Sequence, residues 1–316
     1  MLEKFPKESV EKKEVVGNAG FAEDQGTRES MEDAHVVERN FMDDPRKSFF
    51  AVYDGHHGEK AAEFAAKNLH KYLATALEGG DKPVEALKKA FVATDAKMVE
   101  EFKGEEYEDS GAAALAAFVD GGKVWIAGAG DVRAVLVKEN SEEALSRDHH
   151  PDDPTEAERV ISGGGIIQQW AKLRMPDGSI LETEDWNNPK IRRDFSIRGA
   201  KVIVKDSVRV CRKGFDGMLN MSRSLGDAWV GDAISPEPEI KEIEIQPDDR
   251  KLIIACDGVW NVISNTMAAE IVRGKTAQEA SEAIVREINQ RQKEKGLDQD
   301  NVTVLVIDLN EQGGAA

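Results

Sequence analysis

The chain has 316 residues, and its 42 basic and 60 acidic side chains give a formal net charge of −18. This balance disfavours nucleic acid or an anionic membrane surface as a partner, and any phosphorylated substrate must be attracted locally by metal ions or a few arginines. A chain of this length buries about three quarters of its unfolded surface on folding, so a large core is expected.

The predicted elements begin after a charged leader at 1–13 and end before a short tail at 310–316, so that a single domain spans 14–309. Valine-rich and alternating segments predict strands between these limits. In chain order the strands lie at 14–22, 33–40, 48–54, 110–119, 123–129, 132–138, 251–256 and 301–309.

Apolar residues at helical spacing predict helices over 61–76 and 277–288, and Thr276 with Glu279 forms a capping box before the second. A proline directly after an aspartate predicts a shorter helix over about 153–163. Strand runs, a helical pair, more strand runs, helices and a closing strand do not follow the alternation of a doubly wound fold. The order therefore predicts an α+β fold in which helices cover antiparallel sheets.

The two cysteines indicate a reducing compartment. Cys211 and Cys256 are far apart and lack metal-ligand spacing, which argues against a disulfide framework and against a zinc site. The first residues lack the apolar stretch of a signal peptide, and no later run is apolar enough to cross a membrane. We expect a cytoplasmic protein, with a nuclear location also open, that is a monomer and has no membrane partner.

Five aspartates lie in short acidic or glycine-bracketed motifs: Asp33, Asp54, Asp131, Asp257 and Asp300. Asp54, Asp257 and Asp300 sit at the edge of apolar, strand-like runs, where a carboxylate has no packing use. Divalent cations would hold such carboxylates together, and a glycine after the aspartate lets the backbone come close to an ion. The alternative is that each Asp-Gly pair is a turn, which is equally good for either motif alone and weaker for both together.

Six motifs occur in the order found in one known family. They are Arg28 with Met31–His35, Tyr53–Gly58, Gly130–Ala134, Ser222–Asp227, Cys256–Trp260 and Asp300–Thr303. Over residues 20–309 the chain resembles the metal-dependent serine/threonine protein phosphatases of type 2C. The resemblance implies a central β-sandwich of two antiparallel sheets flanked by helices on both faces (αββα). It also implies hydrolysis of phosphoserine and phosphothreonine in phosphorylated protein substrates.

The same resemblance implies a centre of two Mg²⁺ or Mn²⁺ ions that activate a bridging water. Asp54 would bridge both ions, the Gly55 carbonyl would bind one, and Asp257 and Asp300 would bind the other. Glu32 and Asp33 would act mainly through metal-bound waters. Ligands that are all oxygens favour Mg²⁺ or Mn²⁺ over zinc.

Two further roles concern the substrate. The planar guanidinium of Arg28 would hold phosphate oxygens, although without the resemblance a surface pair with Glu29 or Glu32 is favoured. His56 would be the general acid that protonates the leaving serine or threonine oxygen, because imidazole titrates near neutral pH. His149 and His150 carry no comparable context and are interpreted as ordinary.

One departure from the family pattern concerns charge. Asn261 stands where the family often has a second aspartate, four residues after Asp257. A third ion, held in the family near Asp131 and Asp257, would lose a charged ligand, although an amide oxygen can still coordinate. We therefore predict a weakened third site and an intact two-ion centre.

A second departure is an enlarged flap insertion at about 163–217, where the family has a short flap. It contains the tryptophans and basic residues Trp170, Trp186, Lys190, Arg192, Arg193 and Arg198. Long irregular insertions in compact domains are usually functional or disordered. Our hypothesis is that this insertion reads the protein around the phosphorylated residue, and the alternative is a solvated excursion without a substrate role.

The sequence thus predicts a Mg²⁺- or Mn²⁺-dependent protein phosphatase. The alternative of a different class is a catalytically weakened pseudophosphatase that acts as a binding or scaffold module, motivated by Asn261. A two-metal phosphodiesterase or nuclease is disfavoured by the acidic surface and the lack of a basic groove.

Overall fold

The computed structural model describes residues 16–183, 189–199, 201–214, 217–296 and 298–310. The predicted leader, the tail beyond residue 310 and Trp186 lie outside the described residues. The side chains of Trp170 and Arg192 are also outside the description.

The strands of the described chain are β1 (Val16–Asp24), β2 (Ala34–Glu38), β3 (Lys47–His56), β4 (Gly111–Asp120), β5 (Lys123–Ala129), β6 (Arg133–Lys138), β7 (Glu142–Ala144), β8 (Ile166–Arg174), β9 (Ile180–Thr183), β10 (Lys201–Cys211), β11 (Met218–Leu219), β12 (Leu225–Gly226), β13 (Glu239–Glu244), β14 (Asp249–Ala255) and β15 (Val302–Leu309). They form three sheets in which all paired neighbours run antiparallel. Sheet I has the order β1-β15-β14-β6-β7, sheet II the order β13-β5-β4-β3-β2 with β12 beside β4, and sheet III the order β11-β10-β8-β9.

The α-helices are α1 (Lys60–Glu78), α2 (Pro83–Phe102), α3 (Pro154–Ser162), α4 (Pro189–Ile197), α5 (Asp257–Trp260), α6 (Asn265–Val272) and α7 (Ala277–Lys295). In the described part of the chain, none of them has both the length and the apolar character that a membrane crossing requires.

Sheets I and II pack face to face, and helices cover the outer face of each. One core lies between the sheets, a second joins sheet II to α1 and α2, and a third joins sheet I to the helices from α5 to α7. The middle of β3 is uncharged because both of its faces are buried: Phe50 and Val52 face the first core, whereas Phe49 and Tyr53 face the second. A strand buried on both faces needs apolar residues at every position. The predicted αββα sandwich is confirmed.

All eight predicted strands are present with ends shifted by a few residues. The largest consequence is at β3, which continues through Asp54 to His56, so that Asp54 lies inside the strand instead of at its edge. The predicted helices are α1, α3 and α7. The capping box at Thr276 and Glu279 is formed, and Gly163 ends α3.

The insertion at 163–217 is less irregular than its sequence indicates. Strands β8 and β10 pair from Ile166 with Cys211 to Arg174 with Lys201, and together with β9 and β11 they make sheet III. These strands were not predicted, because basic and amide side chains interrupt the alternation of apolar residues. Ladder pairing satisfies the backbone groups of a segment that would otherwise be an unusually long loop.

Candidate metal centre

The structure brings the five aspartates together from both sheets of the sandwich. On the side of sheet II, Asp33 precedes β2 and Asp54 lies near the end of β3; on the side of sheet I, Asp131 precedes β6, Asp257 follows β14 and Asp300 precedes β15. The backbone N–H of Asp257 lies 3.4 Å from Asp54 Oδ2, which joins the two groups across the sandwich. The convergence expected from the strand ends is therefore observed.

The carboxylates disturb one another strongly. Burial, followed by the charges of Asp33 and Asp257, holds the pKa of Asp54 well above its usual value. Burial and the charges of Asp131 and Asp300 raise the pKa of Asp257 to about 8. The pKa of Asp33 is raised to about 6, again mainly by burial. Without a cation, these side chains are most stable when some of them carry a proton.

The oxygens of this cluster suit a hard divalent ion. Both carboxylate oxygens of Asp33 and of Asp131 are buried and have no hydrogen-bond partner among the described residues. The Cys256 sulfur lies within 4.8 Å of ligand atoms of Asp33 and Asp54. Burial and the charges of Asp33 and Asp54 raise the pKa of that thiol far above its usual value, so the available donors are oxygens. Oxygen donors are those that Mg²⁺ and Mn²⁺ prefer.

The glycines after two of the aspartates admit neighbouring backbone. A Cβ atom at Gly55 would overlap the carbonyl oxygen of Glu32, and one at Gly258 would overlap that of Asn301. The sequence predicted that these glycines let the backbone come close to an ion. The structure adds a second reason, because the loops that carry Glu32 and Asn301 cross directly over them.

Asn301 holds the loop that carries Glu32 and Asp33. Its Oδ1 accepts a hydrogen bond from the Glu32 N–H at 2.8 Å, and its Nδ2 donates to the Gln25 and Ser30 carbonyls at 2.9 and 3.0 Å. Sequence reasoning noted Asn301 only as the neighbour of Asp300. An amide can serve here because it donates and accepts at once.

Arg28 lies at the rim of the cluster. Its Nη2 donates to Asp300 Oδ2 at 2.7 Å, so it pairs with a proposed ligand and not with Glu29 or Glu32. The side chain is 57 % exposed. A guanidinium in this position can reach an anion that approaches the carboxylates from solvent.

His56 is bound by a residue that sequence reasoning missed. Its Nε2 lies 2.8 and 2.9 Å from the two carboxylate oxygens of Asp227. Burial lowers the pKa of His56, but the charge and hydrogen bond of Asp227 outweigh it, and the pKa is raised. Asp227 ends the motif Ser222–Asp227, which carried the family resemblance without a role for its aspartate.

His150 differs from the ordinary residue that its sequence context indicated. Its ion pair with Asp148, with 3.8 Å between His150 Nε2 and Asp148 Oδ2, raises its pKa to about 9 despite burial, and its Nδ1 lies 3.1 Å from the Asn220 carbonyl. The positive charge of His150 acts to lower the pKa of Asp131, whereas burial raises it. His149 is buried and contacts the backbone of Gly130, as a structural residue would.

Asn261 contacts the cluster through its amide nitrogen. Nδ2 donates to Asp257 Oδ2 at 3.0 Å. The residue thus occupies an oxygen of Asp257 without adding negative charge, in line with the predicted weakening of a third cation site.

The family model for protein phosphatase 2C matches residues 18–297. The chain belongs to the protein phosphatase 2C family. The six motifs of protein phosphatase 2C that the sequence contains all fall within this matched range or directly after it.

Curated relatives carry the same family name. "Probable protein phosphatase 2C 14" of Arabidopsis thaliana is 33 % identical over 271 residues, which cover 83 % of this chain and 51 % of the relative. "Protein phosphatase 2C homolog 2" of Aspergillus fumigatus is 32 % identical over 319 residues, covering 92 % of this chain and 64 % of the relative. The chain spans about half the length of the first of these protein phosphatase 2C relatives.

Solved structures support the fold. The serine-threonine phosphatase 2C from Toxoplasma gondii superposes with a TM-score of 0.72 at 20 % identity, covering 93 % of this chain and 95 % of that chain. A C. elegans sex determining protein gives a TM-score of 0.71 at 22 % identity, covering 93 % and 65 %. The sandwich described above is therefore the protein phosphatase 2C fold.

Proposed function

We propose that this protein is a Mg²⁺- or Mn²⁺-dependent phosphatase that hydrolyses phosphoserine and phosphothreonine in proteins. The observation that carries the proposal is the buried cluster of carboxylates with raised pKa values in a member of the protein phosphatase 2C family. Such a cluster is costly to keep without cations and is suited to holding two of them.

Asp54, the Gly55 carbonyl, Asp257 and Asp300 would hold the two ions, and Glu32, Asp33 and Asp131 would hold ion-bound waters or a weaker third ion. Divalent ions in such a site lower the pKa of bound water and neutralise charge on phosphoryl oxygens. The orphaned oxygens of Asp33 and Asp131 support this assignment.

The substrate would be handled by two side chains. Arg28 would exchange part of its contact with Asp300 for the phosphate oxygens, since its exposed guanidinium has further donors to offer. His56 would give a proton to the leaving oxygen of serine or threonine, which is a poor leaving group unless it is protonated.

The insertion would contribute to recognition of the protein substrate. Gly217, at its end, lines a cavity of about 400 Å³ together with His57, Tyr107 and Trp229. Arg212 donates to the Trp229 carbonyl at 3.0 Å, which anchors the insertion near the His56 side of the site. Basic residues outnumber acidic ones between 163 and 217, in contrast to the whole chain. An acidic segment around the phosphorylated residue would be attracted there.

The test of the insertion is charge reversal. Lys190 and Arg193 are exposed on α4, and changing both to Glu should raise KM for a phosphoprotein while leaving the rate on a small aryl phosphate unchanged. Lys295→Glu, at an exposed position on α7, is the matched control. Unchanged kinetics on the phosphoprotein would remove the recognition role.

The test of the function is phosphate release from a phosphothreonine peptide during a Mn²⁺ titration, with and without chelator. Release that requires the metal, and that drops by several orders of magnitude in Asp257→Asn, is the expected result. Manganese bound between the aspartates should also give anomalous diffraction peaks there. A parent protein that binds manganese but releases no phosphate would favour the pseudophosphatase alternative, for which the neutral Asn261 is the specific observation.

A further inference from the structure

The carboxylate of Asp227 is a buried hub of hydrogen bonds beside His56. The side chain is fully buried, and its two oxygens lie 2.8 and 2.9 Å from His56 Nε2. Ser224 Oγ donates to Oδ2 at 2.5 Å, and Trp229 Nε1 donates to Oδ1 at 3.3 Å. A carboxylate with donors on both oxygens keeps its orientation.

The contact of Asp227 with His56 depends on Gly111, where strands β3, β4 and β12 lie side by side. In the register of the sheet, Gly111 on β4 faces His56 on β3 and Gly226 on β12. A Cβ atom at Gly111 would lie 2.5 Å from His56 Nε2 and would also overlap the Asp227 carboxylate. The glycine therefore leaves the space in which imidazole and carboxylate meet.

The backbone of Asp227 is held in a conformation that is uncommon for residues other than glycine. Its φ is 53° and its ψ is 38°, in the left-handed region. Such a residue costs on the order of 1 kcal/mol and persists where the surroundings fix it. The Gly226 N–H donates to Asp95 Oδ1 at 2.8 Å, and the Val230 N–H donates to the Asp227 carbonyl at 2.9 Å, so the turn is fixed on both sides.

The other ring nitrogen of His56, Nδ1, is buried. Nδ1 has no hydrogen-bond partner among the described residues. Because a carboxylate only accepts, Nε2 must carry a proton toward Asp227, and a second proton of the imidazolium must lie on Nδ1. His56 ends β3 two residues after Asp54, which places the ring next to the carboxylate cluster.

We propose that Asp227 is the positioning residue for His56, which it holds through Nε2 so that Nδ1 faces the leaving oxygen of the phosphate ester. The inference rests on the proposed function. In the step, the oxygen of a water forms a bond to phosphorus, one proton of that water passes to solvent, and the ester P–O bond breaks. The electron pair of that bond stays on the serine or threonine oxygen, which takes the proton from Nδ1. The neutral imidazole keeps the proton on Nε2, hydrogen-bonded to Asp227, and Nδ1 regains its proton from solvent.

A comparison of leaving groups tests the role of Asp227. An alkyl oxygen must be protonated as it leaves, whereas the nitrophenolate of p-nitrophenyl phosphate leaves without help. Asp227→Asn should lower kcat on a phosphothreonine peptide by about 10²-fold or more, the usual contribution of general acid catalysis. The same variant should change the rate on p-nitrophenyl phosphate little, and KM on the peptide should stay close to that of the parent.

A matched control separates positioning from general damage to this region. Asp95 is a partly buried carboxylate that binds the same motif through the Gly226 N–H but has no contact with His56. Asp95→Asn should affect both substrates by the same factor. If Asp227→Asn also lowers both rates equally, Asp227 has only a structural role and the inference is wrong.

Two further readouts depend on the contact with His56. In a double-mutant cycle, Asp227→Asn should cost nothing more once His56→Gln is present, because residues that act as a unit are not additive. Additive losses would overturn the inference. By NMR of labelled histidine, the Nε2 proton of His56 should resonate downfield in the parent and move upfield in Asp227→Asn, and an unchanged resonance would also contradict it.

The outcome is decided even if Asp227→Asn fails to fold. Ser224→Ala and Trp229→Phe each remove one donor from the carboxylate and leave Asp227 in place, so they should lower the peptide rate selectively and by smaller factors. Equal effects on both substrates would count against the inference. The parent separates this question from the function itself: if it hydrolyses neither substrate with Mn²⁺, the proposed function fails, whereas an active parent with insensitive variants refutes only the role of Asp227.

Discussion

At the scale of single residues, the absence of a Cβ atom decides where the chemistry can be placed. Gly111 has an unremarkable backbone conformation, but any side chain there would displace either His56 or Asp227. In the sequence, Gly111–Ala114 is only a stretch of small apolar residues. The requirement appears only when β3, β4 and β12 are seen side by side.

Gly111→Ala should therefore impair catalysis as well as stability. The new methyl group pushes His56 from Asp227, so the rate on a phosphothreonine peptide should fall by roughly 10²-fold, while overpacking costs about 1–3 kcal/mol. Steady-state kinetics and chemical denaturation measure the two effects. Gly128→Ala on the adjacent strand is the control, because its Cβ would meet Leu115 at an ordinary 3.6 Å. Equal rates for the two variants would show that the space left by Gly111 does not matter for catalysis.

Asn261 is the second residue whose chemistry can be tested alone. Asn261→Asp adds a carboxylate next to Asp257, which should create a tighter third cation site and lower the Mn²⁺ concentration needed for full activity. Isothermal titration with Mn²⁺ should detect an additional ion. Asn261→Ala, which removes the amide without adding charge, should gain none. If the Asp variant binds the same number of ions as the parent, the neutral amide is not what weakens that site.

At the scale of elements, α3 is tied to the segment that carries the Ser222–Asp227 motif. Glu156 on α3 is buried and accepts hydrogen bonds from Arg223 at 2.6 Å, Arg159 at 3.1 Å and Ser222 at 2.9 Å. Burial raises the pKa of Glu156, but the hydrogen bond and charge of Arg223 outweigh it and hold the pKa at about 2. The helix therefore holds the chain in place before Asp227.

Glu156→Ala should destabilise the protein by about 3–5 kcal/mol, because it removes the buried carboxylate that balances the partly buried guanidinium groups of Arg223 and Arg159. A glutamate whose folded pKa lies below its usual 4.5 stabilises the fold fully above about pH 4.5, and this contribution is lost as the pH falls toward about 2. Denaturation at pH 7 and pH 3 should show the difference between parent and variant shrinking. Glu158→Ala, exposed on the same helix, should have little effect at either pH. A pH-independent difference would rule out the ionised carboxylate as the cause.

Some of these elements could be predicted from the sequence alone, and others could not. Strands β3 and β14 were predicted because burial on both faces gives each an uncharged run, Phe49–Tyr53 and Leu252–Cys256, and Asp54 and Asp257 directly follow these runs. Sheet III was not predicted, because its strands mix basic and apolar residues without a clean period. The contact of His56 with Asp227 joins residues 171 positions apart, which no local pattern encodes.

At the scale of the whole molecule, the carboxylate cluster joins the two halves of the sandwich. Asp33 and Asp54 lie at or near strand ends of sheet II, and Asp131, Asp257 and Asp300 lie near strand ends of sheet I. Repulsion among them opposes the packing of one sheet on the other, in a chain whose net charge is already −18. Cations bound between these aspartates would turn this repulsion into a link between the sheets.

Stability should therefore depend on pH in opposite ways with and without metal. The folded protein without cations holds protons at Asp33 and Asp257, whose pKa values of about 6 and about 8 exceed the usual 3.8. It binds more protons than the unfolded chain between about pH 4 and pH 8, so the free energy of unfolding falls as the pH rises through this window. Thermal melts in chelator should show Tm decreasing accordingly, and Asp257→Asn should flatten the slope.

Added Mn²⁺ should reverse this trend, since ions bind the deprotonated carboxylates and compete with protons. An ion present at 100 times its Kd stabilises the folded state by about 2.7 kcal/mol, so Tm should rise with Mn²⁺ most strongly near pH 8. Asp43→Asn, outside the cluster, should leave the slopes unchanged. A Tm in chelator that does not fall between pH 5 and pH 8 would mean that the aspartates are not held close enough to repel, and the cluster could not serve as a metal centre.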